Sequence, residues 1–158
     1  DEVAAPTRFK RELTNKIFDY YRLQPPELCY VFCNRKMVSY RYFWKILHRY
    51  RTLLISKWAD QYARQIKGKY ASLPPQIVGT INFNHYDQIP AVLKKVGKFD
   101  FDLALISAGV NAVMLSPAIA KRYGKVAIDF GKTMMYTVRP NNRLRPWNPP
   151  AEPPRSDG

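Results

Sequence analysis

Two short apolar runs, 102–107 and 126–128, each end in a cluster of polar and glycine residues. These clusters are Ser107, Gly109 and Asn111 after the first run, and Asp129, Gly131 and Lys132 after the second. Continuous apolar runs of this length are typical of strands buried on both faces of a parallel sheet. Because such sheets bind ligands at the carboxyl ends of their strands, polar groups gather where a nucleotide or sugar would sit.

Asp129 is the residue for which we predict a catalytic role. Its carboxylate can accept hydrogen bonds from sugar or ribose hydroxyls, bind a metal ion or act as a general base. The alternative is that it caps the following turn. Gly131 either lets the backbone approach a ligand or simply forms the turn. Lys132 either pairs with phosphate or is a solvated lysine.

The turn from Ser107 to Asn111 leads from a predicted strand into a predicted helix. A helix N-terminus offers free N–H groups and a partial positive charge, which together bind an anion. We therefore predict that Ser107, Gly109 and Asn111 contact an anionic ligand. For Gly109 the alternative explanation is tight packing.

Three further polar residues are expected at strand ends. Lys57 follows the predicted strand 52–56, and Asn34 and Arg35 follow the predicted strand 28–33. Lysine and arginine both bind phosphate, arginine through two parallel hydrogen bonds. An ordinary surface role explains Lys57 and Arg35 equally well.

The hydrophobic pattern predicts strands that alternate with helices. The strands are predicted at 28–33, 52–56, 76–81, 102–107 and 126–128. The helices are predicted at 7–22, 39–48, 57–70, 86–96 and 111–123, with Ser39 as a cap of the second one. This alternation indicates an α/β fold with a mainly parallel sheet of about five strands. We predict one domain over 1–138 and a Pro-rich, extended or disordered tail over 139–158.

The chain is strongly basic, with 26 Lys and Arg against 12 Asp and Glu and a net charge of +14. Such an excess indicates an anionic partner: a nucleotide diphosphate, nucleic acid, an acidic polysaccharide or an anionic membrane. Nucleic acid is the least expected of these, because the chain contains no basic arm and no nucleic-acid-binding motif.

The cysteines and the length of the apolar runs bear on the compartment. A disulfide between Cys29 and Cys33 would oppose an extended strand, and no Cys/His set with metal spacing surrounds them. We expect both to be reduced, with at least one buried in a strand. No apolar run approaches the ~20 residues of a membrane helix. The sequence thus predicts a cytoplasmic protein without a transmembrane segment.

The sequence resembles the GT-D type of glycosyltransferase domain from about Leu28 to about Tyr136. Three motifs carry the resemblance: DLALISAGVNAVMLSPAIAKRYGKVAIDFGK at 102–132, LLISKWA at 53–59 and VFCNRKMVSYRYFW at 31–44. It implies a bacterial, Rossmann-like domain that transfers a sugar from a nucleotide-diphosphate sugar to a glycan or glycoprotein. Asp129 would then be catalytic. The residues that would bind the nucleotide sugar are Asn34, Arg35, Lys57, Ser107, Gly109, Asn111, Gly131 and Lys132.

Members of this type usually carry an acidic Gly-Asp-Gly-Glu-like motif on an early strand, and nothing before Leu28 matches it. We expect the motif either to precede residue 1 or to be absent from the protein. If it precedes residue 1, its carboxylates would meet Asp129 and hold Mn²⁺ or Mg²⁺ on the diphosphate. Asp129 alone cannot do so, because a hard cation takes several oxygen ligands.

Two other classes of function stay open. One is a non-catalytic module whose basic surface binds an anionic glycan, nucleic acid or a partner subunit, with the tail as a linker or partner peptide. The other is a different Rossmann-like enzyme, such as a methyltransferase or dehydrogenase. The absence of a G-x-G-x-x-G turn argues against the latter. Self-association is also left open.

Overall fold

The computed structural model describes residues 4–24, 33–69 and 73–139. The chain divides into two compact units, residues 1–31 and 32–158. The described part of the first unit contains the helix α1 (Ala4–Tyr20), which was predicted at 7–22. The second unit contains the sheet and all of the residues singled out above as candidate site residues.

Four parallel strands form the sheet of the second unit. They are β1 (Thr52–Ile55), β2 (Ile77–Ile81), β3 (Leu103–Ile106) and β4 (Val126–Asp129). Their order is β2-β1-β3-β4, so β1 and β3 are the central pair. The chain runs to one side of β1 to form β2 and to the other side to form β3. The crevice outside such a reversal is where open α/β sheets bind ligands.

Helices cover both faces of this sheet. They are α2 (Cys33–Met37), α3 (Arg41–Arg49), α4 (Ala59–Lys69), α5 (Ile89–Val96), α6 (Val110–Tyr123) and α7 (Thr133–Val138). Helices α3, α4 and α7 pack on one face, where Tyr62 and Phe130 are fully buried. Helices α5 and α6 pack on the other face, through residues that include Val96 and Leu115. Every residue of β1 and β3 is buried, which explains their continuous apolar sequences.

The predicted α/β fold with a parallel sheet is confirmed, with four described strands in place of about five. The difference is the strand predicted at 28–33. Residues 28–32 lie outside the described residues, and Cys33 is the first residue of α2. Cys33 is exposed there, so it is not a cysteine buried in a strand, and the expectation that at least one cysteine is buried rests on Cys29. Cys29 lies outside the described residues.

The other elements differ from the predictions in detail. Tyr40, not Ser39, occupies the N-cap position of α3. A 3-10 turn at Tyr86–Gln88 precedes α5, whose first turn contains Pro90. Helix α7 was not predicted, because six residues are too few to show a helical period. Residues 140–158, most of the predicted tail, lie outside the described part, so the domain boundary stays a prediction. In the described ranges, no helix is both long and apolar enough to cross a membrane.

Candidate functional site

A cavity of about 210 Å³ lies at the carboxyl ends of the strands, beside the reversal between β1 and β3. It is lined by residues 57–58 after β1, 83–84 after β2, 107–109 after β3 and 131–132 after β4, together with Met135. Five of the predicted site residues are among them: Lys57, Ser107, Gly109, Gly131 and Lys132. The fold therefore brings together residues that are 75 positions apart in the chain (57 to 132).

Two buried serines connect the loops around the cavity. Ser56 donates its hydroxyl to the Ser107 carbonyl oxygen (2.7 Å) and accepts a hydrogen bond from the Trp58 backbone N–H (3.1 Å). Ser107 donates its own hydroxyl to the Gly131 carbonyl. Because the Ser107 hydroxyl donates its proton to Gly131, its role is to position the loop after β4. Ser56 was not predicted as a site residue, although a polar residue directly after a buried apolar run was a signal for one.

Two glycines in the cavity wall have positive φ. Gly109 has φ +59° and ψ −140°, and a Cβ added there would meet no atom within 4 Å. Its conformation, and not tight packing, is therefore what requires glycine. Gly131 has φ +56°, and an added Cβ would lie 2.5 Å from Asn34 Nδ2. Glycine at 131 thus serves both the turn and the close approach of Asn34.

The Asp129 carboxylate caps the turn that follows β4. Its Oδ1 accepts a hydrogen bond from the Gly131 backbone N–H (2.8 Å). Asp129 is half-buried, and it does not line the cavity. In the described residues, no group of three or more His, Cys, Asp or Glu side chains is placed to hold a metal ion. The described carboxylates alone therefore do not fit a divalent cation.

Three predicted residues lie around the cavity without lining it. Asn34 lies against Gly131, and its carbonyl accepts a hydrogen bond from Thr133 (3.5 Å). Arg35 is helical, and its guanidinium lies 4.7 Å from the centre of the Tyr136 ring. Asn111 donates its side-chain amide to the Asn84 carbonyl (3.2 Å).

Asn34 and Arg35 were predicted to follow a strand at 28–33, and both belong to helix α2. Because residues 28–32 lie outside the described part, the strand before them stays a prediction. The sequence Asn-Arg-Lys-Met contains good helix formers and no β-branched residue, which is the signal that was overlooked. Asn34 reaches the site by packing against Gly131.

Among the described residues, the cavity wall carries two exposed cations, Lys57 and Lys132, and no carboxylate. Two cations lie over the ring of Trp58, which also lines the cavity. Lys57 Nζ is 5.2 Å from the centre of this ring, and Arg139 Cζ is 4.4 Å from it. Trp58 falls within the helix predicted at 57–70, but it lies in the turn before α4. The arrangement suits an anionic ligand with an apolar or aromatic part.

Residues 3–137 match the family described as the GT-D fold-like domain, so the chain belongs to this family. The match covers the sheet, every predicted site residue and α1. The chain thus has a glycosyltransferase-related fold, as its motifs indicated. No significant match was found among curated proteins or among solved structures.

Proposed function

We propose that the protein is a glycosyltransferase that transfers a sugar from a nucleotide-diphosphate sugar to a glycan or glycoprotein acceptor. A cytoplasmic, bacterial pathway of surface-glycan or glycoprotein assembly is the setting that suits this activity. The observation that carries the proposal is the cationic cavity between Lys57 and Lys132, at the ligand-binding edge of a GT-D-like fold.

Sugar transfer releases a nucleoside diphosphate, whose developing negative charge must be stabilised. Lys57 and Lys132 approach this leaving group from the β1 and β4 loops. The β3 loop brings the N-terminus of α6, where the helix dipole favours phosphate. The cavity of about 210 Å³ is smaller than the ~300 Å³ at the low end of ligand pockets. It therefore holds part of the donor, and the remainder lies over the exposed rim.

Asp129 is the proposed catalytic carboxylate. Its Oδ1 is held by Gly131, which orients the second oxygen, Oδ2, to accept a proton or a sugar hydroxyl. A requirement for Mn²⁺ or Mg²⁺ stays a prediction, since the ion would need carboxylates from outside the described residues. The roles proposed here for the lysines and for Asp129 require no metal.

A calorimetric titration with UDP, GDP and dTDP sugars, with Mn²⁺ and with EDTA, tests the donor site. We expect micromolar binding to one nucleotide class. A folded protein that binds none of them would contradict the assignment of the cavity. Binding that disappears in EDTA would show that further carboxylates take part.

Replacing Asp129 by Asn tests the catalytic role separately. Asparagine keeps an oxygen for the Gly131 N–H, so the free energy of unfolding should change by less than about 1 kcal/mol. We expect release of nucleoside diphosphate from the bound donor to be abolished while donor affinity is retained. Undiminished release in Asp129→Asn would remove this residue from the chemistry.

A non-catalytic binding module is the second candidate, and the engagement of Asp129 in its turn favours it. The basic protein would then bind an anionic glycan or another polyanion. Steeply salt-dependent binding to heparin, without preference for any nucleotide sugar, would support this candidate over the transferase.

A further inference from the structure

The outward face of α6 is apolar over its first two turns. Val110, Val113 and Met114 are 79%, 58% and 54% exposed, and exposed Pro117 follows on the same face at the i, i+3, i+4, i+7 spacing. We call these four residues the α6 stripe. The opposite face of the helix is fully buried against the sheet through Ala112, Leu115 and Ile119. Exposed apolar residues grouped in this way mark an interaction surface.

Cations gather at the C-terminal ends of α5 and α6. These ends are adjacent, because the Tyr123 hydroxyl donates a hydrogen bond to the Leu93 carbonyl. The exposed basic residues there are Lys94, Lys95, Lys98, Lys121 and Arg122. Lys121 follows Pro117 by four residues and so lies on the face of the α6 stripe. No acidic residue occurs in 89–99 or in 110–125.

We propose that the α6 stripe and these cations dock the protein on the surface of an anionic membrane. The apolar side chains would enter the boundary between headgroups and acyl chains, while the lysines and Arg122 bind headgroup phosphates. Charge complementarity selects this partner. A second copy docked on the same surface would oppose two sets of cations, and a nucleic acid would leave the α6 stripe in contact with water.

The proposed docking surface borders the cavity, because Val110 directly follows Gly109 in its wall. A docked protein would therefore hold the cavity close to the membrane surface. Docking through this surface does not depend on the proposed transferase activity. It requires only the exposed α6 stripe and the exposed cations at the ends of α5 and α6.

Vesicle flotation tests the proposal, with phosphatidylcholine vesicles and with vesicles of phosphatidylcholine and phosphatidylglycerol at about two to one. We expect the protein to float with the anionic vesicles and not with the neutral ones. Val113→Glu should lower the bound fraction about tenfold, since it replaces an inserted apolar group by a charge. Met114→Glu should act in the same way.

Val126→Glu is the matched control, because Val126 is 59% exposed at the start of β4 and the charge change is identical. Its bound fraction should stay within about twofold of the wild type. Equal loss in both valine variants, or flotation with neither vesicle, would overturn the proposal. Sedimentation velocity tests whether a second copy of the chain is the partner. A wild-type dimer that Val113→Glu dissociates would assign the α6 stripe to self-association instead.

Discussion

The two ends of the sheet use charge in opposite ways. At the amino end, Arg51, Asp102 and Lys125 each precede a strand by one residue. Arg51 Nη2 lies 2.8 Å from Asp102 Oδ1, and Lys125 Nζ lies 3.9 Å from the same oxygen. Arg51 also pairs with Asp100. The charges of these four residues are thus compensated within the chain.

At the carboxyl end, the cations Lys57 and Lys132 face a cavity that no carboxylate of the described residues lines. Asp129, the last residue of β4, is engaged in its own turn. Uncompensated positive charge beside a cavity attracts an anionic ligand, whereas a paired cluster fastens strands together. The contrast supports the proposed ligand site at the carboxyl end, and it assigns the paired cluster at the amino end to stability.

The largest effect is expected from a variant that changes only the carboxyl end of the sheet. The double variant Lys57→Ala, Lys132→Ala should lose about 100-fold in affinity for the preferred nucleotide sugar, because each charged hydrogen bond contributes about 1.5–3 kcal/mol. Both side chains are exposed, so the melting temperature should not change. Titration calorimetry and thermal unfolding measure the two quantities.

The matched control is Lys67→Ala, Lys94→Ala, which removes the same charge from exposed helix positions. It should retain wild-type affinity. If the control loses as much affinity as the cavity variant, the overall charge of the protein, and not the cavity, is responsible for binding.

Replacing Gly131 by Ala should affect both stability and binding at the carboxyl end. The positive φ and the contact with Asn34 predict a loss of about 1–3 kcal/mol in the free energy of unfolding, with weaker donor binding. Gly68→Ala in α4 is the control, since a Cβ there meets nothing within 4 Å. It should stabilise the protein by up to about 1 kcal/mol. If denaturant unfolding gives Gly131→Ala the same free energy of unfolding as the wild type, the turn at Gly131 does not require glycine.

The smallest expected effect is the pH dependence of stability that the amino-end cluster of Arg51, Asp100, Asp102 and Lys125 causes. Hydrogen bonds from Arg51 hold the pKa of Asp102 at about 2, below its usual 3.8. A lowered pKa stabilises the folded state while the group is ionised. This contribution is therefore complete above about pH 4 and is lost as the pH falls through 2.

Thermal unfolding between pH 2 and 6 should show this loss in the wild type and less of it in Asp102→Asn. The effect is small because Asp102 is 33% exposed and water screens the pair. Asp87→Asn, which changes an exposed carboxylate elsewhere, should keep the wild-type profile. Identical profiles for wild type and Asp102→Asn would mean that the amino-end cluster contributes nothing.

Patterns along the chain were enough to predict β3, α6 and β4. The run at 102–107 is apolar because β3 is buried on both faces, and α6 ends at Tyr123, as predicted. The placement of Ser107, Gly109 and Lys132 at one edge also followed from sequence, since parallel strands put their carboxyl ends together.

Residues outside these patterns were predicted less well. Helices α2 and α7 have five and six residues, too few for a periodic signal. Trp58 and Met135 are residue types that are typical of a core, and only the folded structure shows that they line the cavity.

Local composition and periodicity were sufficient for the α/β class, the parallel strands and the edge at which the cavity lies, because burial on two faces leaves a direct mark on the sequence. Strand order and register could be determined only from the tertiary structure. Arg51 meets Asp102 across 51 positions because Thr52 pairs with Leu103, and Ser107 meets Gly131 because β3 pairs with β4. Contacts of this kind depend on which strands become neighbours, and that choice is made by the packing of the whole domain.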